Sequence, residues 1–178
     1  MSMIVNRRDI DFYLYELLDL EELLKNDRYK EHDRDTVTAI LDLAQQIAEE
    51  AFLPCAAELD EHEPIFEAGR AITPDSLKAC LKTFVEAGLP AATFDASLGG
   101  MQLPMLVANF MQGIFQAANG SAVGYIFLTT SNAHMLEACG SDALRARYLP
   151  PLVEGRWFGT MCLSEPHAGS SLSDIRCM

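Results

Sequence analysis

Basic side chains are scarce in this sequence: 13 lysines and arginines stand against 26 aspartates and glutamates, a formal net charge of −13 over 178 residues. That balance argues against a surface built to neutralise nucleic-acid phosphates. It also offers an anionic nucleotide no general attraction, so such a ligand would have to be held by local amides, hydroxyls and helix ends. The four histidines, His32, His62, His134 and His167, are scattered, with no H-E-x-x-H spacing. The five cysteines, Cys55, Cys80, Cys139, Cys162 and Cys177, include no C-x-x-C pair. No metal site is expected, and the odd, dispersed thiols read as reduced, structural cysteines of an intracellular protein. Behind Arg7 and Arg8 there is no apolar stretch of the kind a secretory signal requires. The longest apolar run, around Ala122 to Thr130, falls far short of the ~20 residues that span a bilayer. These absences predict a soluble, cytoplasmic protein with no membrane span and no nucleic-acid partner. Internal repeats and the phosphate-cradling patterns G-x-G-x-x-G and G-x-x-x-x-G-K-[ST] are missing too.

What is present is helical periodicity around enough apolar residues, 49% of the chain, to bury one substantial core. From Asp9 to Leu24, Ile10, Tyr13, Leu14, Leu17, Leu18, Leu20, Leu23 and Leu24 recur at three- and four-residue steps and predict one amphipathic helix. Val37, Ile40, Leu41, Ala44, Ile47, Ala48 and Ala51 predict a second, long one, capped by Asp33 or Asp35 and ended or kinked at Pro54. Glu58 to Glu67 then reads as helix end and loop. Thr73-Pro74 predicts a helix start with Thr73 as cap, and Gly88 its stop. Leu89 to Leu103 is irregular, turning at Gly99-Gly100. Pro104 opens a helix through Ala118, and Ser121 is expected to cap the next, Ala122 to Ala138. The first half of that helix is apolar almost all round and belongs in the centre of a bundle. A short helix, Asp142 to Leu149, is expected to stop at Pro150-Pro151.

Arg156 to Leu163 is aromatic and β-favouring and predicts a strand, the only clear one in the chain. It leads into Ser164 to Ser171, rich in small residues. Glycine and serine after a strand let backbone amides approach a phosphate or an aromatic ring; on pattern alone the stretch also reads as an ordinary polar loop.

The run Thr160-Met-Cys-Leu-Ser-Glu-Pro-His-Ala-Gly-Ser170, following Glu154-Gly-Arg-Trp157, resembles the M-C-L-T-E-P-x-A-G-S-D signature of acyl-CoA dehydrogenases. Gly140 to Trp157 is similar to that family's short helix and linker before the signature, and Ser97-Leu-Gly-Gly100 to its turn after the third helix. The likeness covers the chain from about Thr36 to its end. Asn6 to Leu24, an extra leading helix, resembles the subgroup that includes 3-(methylsulfanyl)propanoyl-CoA dehydrogenases.

The resemblance implies a mainly α fold: a helical bundle with an extra N-terminal helix and the start of a β-domain. It divides into a helical extension (1–32), the bundle (33–155), and a first strand with its flavin-contact loop (156–178). It implies FAD, an acyl-CoA substrate oxidised to a trans-2-enoyl-CoA, an electron-transfer flavoprotein as acceptor, and a homo-oligomer. The flavin would lie against Met161, Cys162, Leu163 and Ser164, with Gly169 and Ser170 at its diphosphate and substrate sides. Ser164 stands where the family has threonine, keeping the hydroxyl but losing the methyl that restricts its rotamer. Ser171 replaces the usual aspartate, and Cys177 a common threonine. Tyr125, Phe127, Leu128 and Ser131 would wall the acyl channel, although periodicity alone reads their helix as plain core. Glu165 is expected to order the turn before Pro166 rather than act as base. The resemblance puts the catalytic base beyond Met178, so the 178 residues alone are expected not to catalyse and to hold flavin weakly or not at all. The competing readings are a non-catalytic helical interaction module from a truncated gene, and a flavin oxidase of the same superfamily.

Overall fold

The structure is a computed structural model describing residues 2 and 4–176. Cys177, and with it the proposed threonine replacement, lies outside the described residues.

The first helical stretch is not one helix. Helix α1 (Arg7–Asp11) runs into a wide π turn (Phe12–Leu17), the chain breaks at Leu18-Asp19, and α2 (Leu20–Leu24) restarts it. Asp19 sits at φ 46°, and its carboxylate accepts from the Glu22 amide to cap α2. The break has a packing reason. In a continuous helix Leu20 would point about 120° away from Leu14, yet Ile10, Leu14, Leu20 and Leu24 all bury in one core.

Helix α3 (Arg34–Ile47) starts at Asp33, not Asp35: the Asp33 carboxylate accepts from the Thr36 amide at 2.8 Å, and Thr36 Oγ1 accepts from the Asp33 amide at 2.7 Å. Val37, Leu41, Ala44, Ile47, Ala48 and Phe52 form its buried rail. Pro54 neither stops nor simply kinks it. A π turn (Ala48–Phe52) and a tight 3₁₀ turn (Leu53–Cys55) absorb the proline, and α4 (Ala56–Glu61) continues. In the tight turn the Ala56 amide bonds to Leu53 O, which frees the carbonyl of Phe52.

Where a loop was expected there is a hairpin. Strands β1 (Ile65–Glu67) and β2 (Arg70–Ile72) pair antiparallel, Ile65 with Ile72 and Glu67 with Arg70, around Ala68-Gly69 at φ 50° and 78°. Its residues are all exposed, so neither face carries the apolar alternation that marks a half-buried strand. Helix α5 (Asp75–Glu86) has Pro74, not Thr73, at its cap, without a side-chain hydrogen bond, and ends before Gly88 at φ 73°. Helix α6 (Met105–Ala118) follows Pro104 as expected.

Helix α7 (Gly120–Cys139) is capped by Asn119 instead of Ser121: Asn119 Oδ1 accepts from the Ala122 amide at 3.1 Å. Nor is α7 surrounded on all sides. Ala122, Val123, Thr129 and Ala133 are buried, while Tyr125 and Phe127 reach solvent. Helix α8 (Asp142–Val153) carries Pro150 and Pro151 inside it. Both prolines lack only donors, and their carbonyls still accept from Glu154 and Arg156 at 2.9 Å. The main core holds α1 to α7, with Phe52, Phe84 and Phe115 packed edge-to-face or tilted at its centre, their ring centroids 4.8 to 6.4 Å apart. A smaller core joins α7 and α8 over Ala91 and Phe94.

Asn119, 4% exposed, also donates from Nδ2 to the freed Phe52 carbonyl at 3.0 Å. Asn119→Ala therefore removes a helix cap and leaves the buried Phe52 carbonyl with only the weak Cys55 thiol donor, at 3.3 Å. The expected loss is about 2–3 kcal/mol, read from the urea midpoint at unchanged slope.

Candidate functional site

The site grows from the end of α8. Gly155, at φ 67°, turns the chain where a Cβ would lie 2.4 Å from Val85 Cγ2. The following residues then run along one face of α7. The Phe158 ring meets Tyr125 edge to face, centroids 6.0 Å apart at 89°. The Gly159 amide donates to Thr129 Oγ1 at 2.9 Å, and that hydroxyl donates to Tyr125 O at 2.6 Å. Asn132 Nδ2 donates both to Leu128 O and to Thr160 O, each at 3.1 Å. The segment from Arg156 to Leu163 is thus not a strand. A strand exists only against a hydrogen-bonded neighbour; among the described residues the Arg156 and Trp157 amides turn back to Pro151 O, and Gly159 and Thr160 are held by the side chains of a helix.

Beyond Thr160 the chain leaves α7. Met161 is 58% and Leu163 44% exposed, and Cys162 and Ser164 are exposed as well. Among the described residues, the backbone groups from Met161 to Ser164 have no main-chain partner. Glu165 and Ala168 then close a tight turn over Pro166-His167, exchanging backbone hydrogen bonds of 2.8 and 3.2 Å. The Glu165 carboxylate accepts from the Arg176 amide at 3.0 Å, so Glu165 does order this turn. The turn brings Gly169 back beside Ser164: a Cβ at Gly169 would stand 3.8 Å from Ser164 Oγ. Ser170 is exposed at the far side, and Ser171 O accepts from the Asp174 amide at 3.0 Å to start a single 3₁₀ turn.

The four expected channel residues do not form one wall. Tyr125 and Leu128, with Ser121, Gly124 and Phe158 to Thr160, line an open cleft of about 430 Å³. Phe127 lies on the other side of α7 and lines a narrow cavity of about 60 Å³ between α5, α6 and α7, with Phe84, Met105, Met111 and Phe115. Ser131 is half-buried and lines neither, and Ser170 does not reach the cleft. Sequence reasoning missed Thr129 and Asn132. Their signal was two polar residues three apart within a mostly apolar helix, which places them on one face.

The match to known proteins runs along these same elements. The family model for the acyl-CoA dehydrogenase N-terminal domain matches residues 34–156. The chain belongs to that family. Among curated relatives, the 3-methylmercaptopropionyl-CoA dehydrogenase of Ruegeria pomeroyi is 34% identical over 170 residues, 96% of this chain and 29% of that protein. It carries the acyl group of the expected subgroup under another name, and the match takes in the leading helices. A butyryl-CoA dehydrogenase of Syntrophomonas wolfei is 32% identical over 94% of this chain and 28% of its own length. The chain thus spans under a third of these relatives. In fold it is similar to butyryl-CoA dehydrogenase from Megasphaera elsdenii, with a TM-score of 0.63 at 23% identity over 80% of this chain and 35% of that one. Among the described residues of this acyl-CoA dehydrogenase N-terminal domain, no helix is long and apolar enough to cross a membrane.

The thiols of this domain divide by environment. Cys139 and Cys162 are exposed. Cys55 and Cys80 are buried together, and burial, with Cys55 alongside, pushes the Cys80 thiol up to about 12. The thiolate is the reactive form, so iodoacetamide at pH 8 is expected to label Cys139 and Cys162 in the folded chain and spare Cys55 and Cys80. Peptide mass spectrometry reads this directly, and labelling of Cys80 at the rate of Cys162 would contradict the buried pair.

Proposed function

We propose that this chain supplies the helical part and one flavin-facing edge of an FAD-dependent acyl-CoA dehydrogenase, which converts an acyl-CoA to the trans-2-enoyl-CoA and passes electrons to an electron-transfer flavoprotein. The observation that carries this is the placement of Met161 to Ser164. Among the described residues, Met161 to Ser164 have unpartnered backbone groups and exposed side chains, two of them large and apolar, and follow directly on a segment anchored to a helix whose Tyr125 and Leu128 line an open cleft.

The fit to a flavin is chemical. An isoalloxazine has a broad apolar face and a polar edge that needs both donors and acceptors. Met161 and Leu163 offer apolar surface, the backbone of Cys162 to Ser164 offers both hydrogen-bonding senses, and Ser164 adds a hydroxyl. Gly169, next to Ser164, leaves room for close approach, and Ser170 offers a hydroxyl on the same turn. When bound, the flavin supplies the hydride acceptor. This chain's residues bind and orient: Tyr125 and Leu128 hold the acyl group's flank, while Phe158 keeps water from the cleft's inner side. None of the residues lining the cleft is a carboxylate, so the base that takes the α-proton is assigned elsewhere in the enzyme. On this reading residues 1–32 are an extension, 33–155 the helical domain and 156–178 the entry to the flavin-binding part, in a homo-oligomeric protein. The acyl-CoA dehydrogenase names of the two relatives support the reading.

Cys162 gives the test. Excess FAD is expected to slow iodoacetamide labelling of Cys162 while leaving Cys139 unchanged, with binding weak enough that gel filtration strips the flavin. Equal slowing at both thiols, or at neither, would remove the flavin assignment.

A further inference from the structure

We infer that Thr129 and Asn132 are positioning residues, which seize segment 158–160 and thereby set where Met161 to Ser164 present their backbone. The consequence for catalysis rests on the proposed function; the positioning itself rests on the geometry.

The two side chains are matched to the segment in hydrogen-bonding sense. Thr129, 5% exposed, spends its hydroxyl hydrogen on Tyr125 O and turns a lone pair to the Gly159 amide. Asn132 uses one amide hydrogen on Leu128 O and the other on Thr160 O. Each bond to the helix's own carbonyl holds the side chain in one orientation, so the bond to the segment is made by a group that is already placed. An acceptor thus meets an N–H and a donor meets the next residue's C=O, at sites three residues apart on one helix face. Steric fit adds to this. A Cβ at Gly159 would lie 2.8 Å from Asn132 Nδ2 and 2.9 Å from Asn132 Cβ, so only glycine lets the segment sit this close. Phe158 against Tyr125 secures the same segment one turn earlier on the same helix face. No other protein group holds the main chain between Trp157 and Glu165 among the described residues. The helix that flanks the cleft therefore also fixes the flavin-facing edge, and the two move together.

The test uses the 178-residue chain and three variants. Thr129→Val keeps volume and loses both bonds; Thr129→Ser keeps the hydroxyl; Gly159→Ala pushes a methyl into Asn132. In Thr129→Val the Gly159 amide should exchange roughly fivefold faster, and the emission of Trp157, the sole tryptophan, should shift to the red. Thr129→Ser should restore both readouts, and Gly159→Ala should reproduce the Thr129→Val pattern from the opposite side. Amides of α3 and α6 should keep their protection throughout. Unchanged exchange at Gly159 in Thr129→Val, a silent Gly159→Ala, or protection lost across α3 and α6 without rescue by serine would each overturn the inference. FAD separates the two claims. If it slows Cys162 labelling in the wild type but much less in Thr129→Val, positioning of the flavin edge is supported. If it protects both equally, positioning is overturned. If it protects neither while the exchange pattern holds, the positioning stands and the flavin assignment falls.

Discussion

One carbonyl group, that of Phe52, decides how the helices meet. Pro54 cannot continue the α-helical ladder, and the chain tightens into a 3₁₀ turn in which the Ala56 amide goes to Leu53. Phe52 O is left in the core, where an unpaired acceptor is costly. Asn119 reaches it from the junction of α6 and α7, and with its other end caps α7. A local defect in one helix is thereby answered by the first residue of another, 67 positions later. The start of α7 is bound to the far end of α3, and everything that α7 carries takes its position from that bond.

The apolar packing is consistent with this joint. Phe52 sits against Phe115 and Phe84, so the residue whose carbonyl is answered also centres the aromatic cluster of α3, α5 and α6. Cys55, one turn on, accepts a third contact from Asn119 at 3.3 Å and lies with Cys80 under α5. Burial here, with Cys55 alongside, raises the Cys80 thiol. In a dry site a hydrogen bond is electrostatically stronger and its loss more costly, which is why a single amide can orient a twenty-residue helix.

Helix existence was largely legible, because burial on one face imposes the 3.6-residue period that the sequence displays at Val37 to Ala48 and at Leu77 to Phe84. What was not legible was how helices begin, end and bend. Leu18-Asp19 and Pro54 break or distort helices to bring leucines and a carbonyl to partners distant in sequence. Pro150-Pro151 looks like a stop and is not one, because the amides of Glu154 and Arg156 still find the proline carbonyls. Asn119 outcompeted Ser121 as cap because it alone reaches Phe52. The hairpin at Ile65 to Ile72 was hidden since it buries neither face and turns on Ala-Gly. In the candidate site, the signature run marked, through resemblance, the residues proposed to meet a flavin. Thr129 and Asn132 carried no such mark: their role comes from a segment that passes them only in three dimensions.

The same contrast explains why Arg156 to Leu163 looked like a strand. Trp157, Phe158, Met161 and Leu163 have the apolar character of a buried strand, but only Phe158 finds a ring to pack on across α7, and Trp157 meets Tyr148 of α8. Pairing needs a second strand, and here the hydrogen-bonding capacity of Gly159 and Thr160 is met by helix side chains instead. Helix side chains can satisfy an N–H and a C=O where they happen to be spaced correctly, which on α7 occurs once. Past Thr160 the helix face offers no further match, and the backbone stays open from Met161 to Ser164. The open edge and its anchor therefore have a single cause: the two polar residues of α7 define both where the segment is held and where it begins to be available.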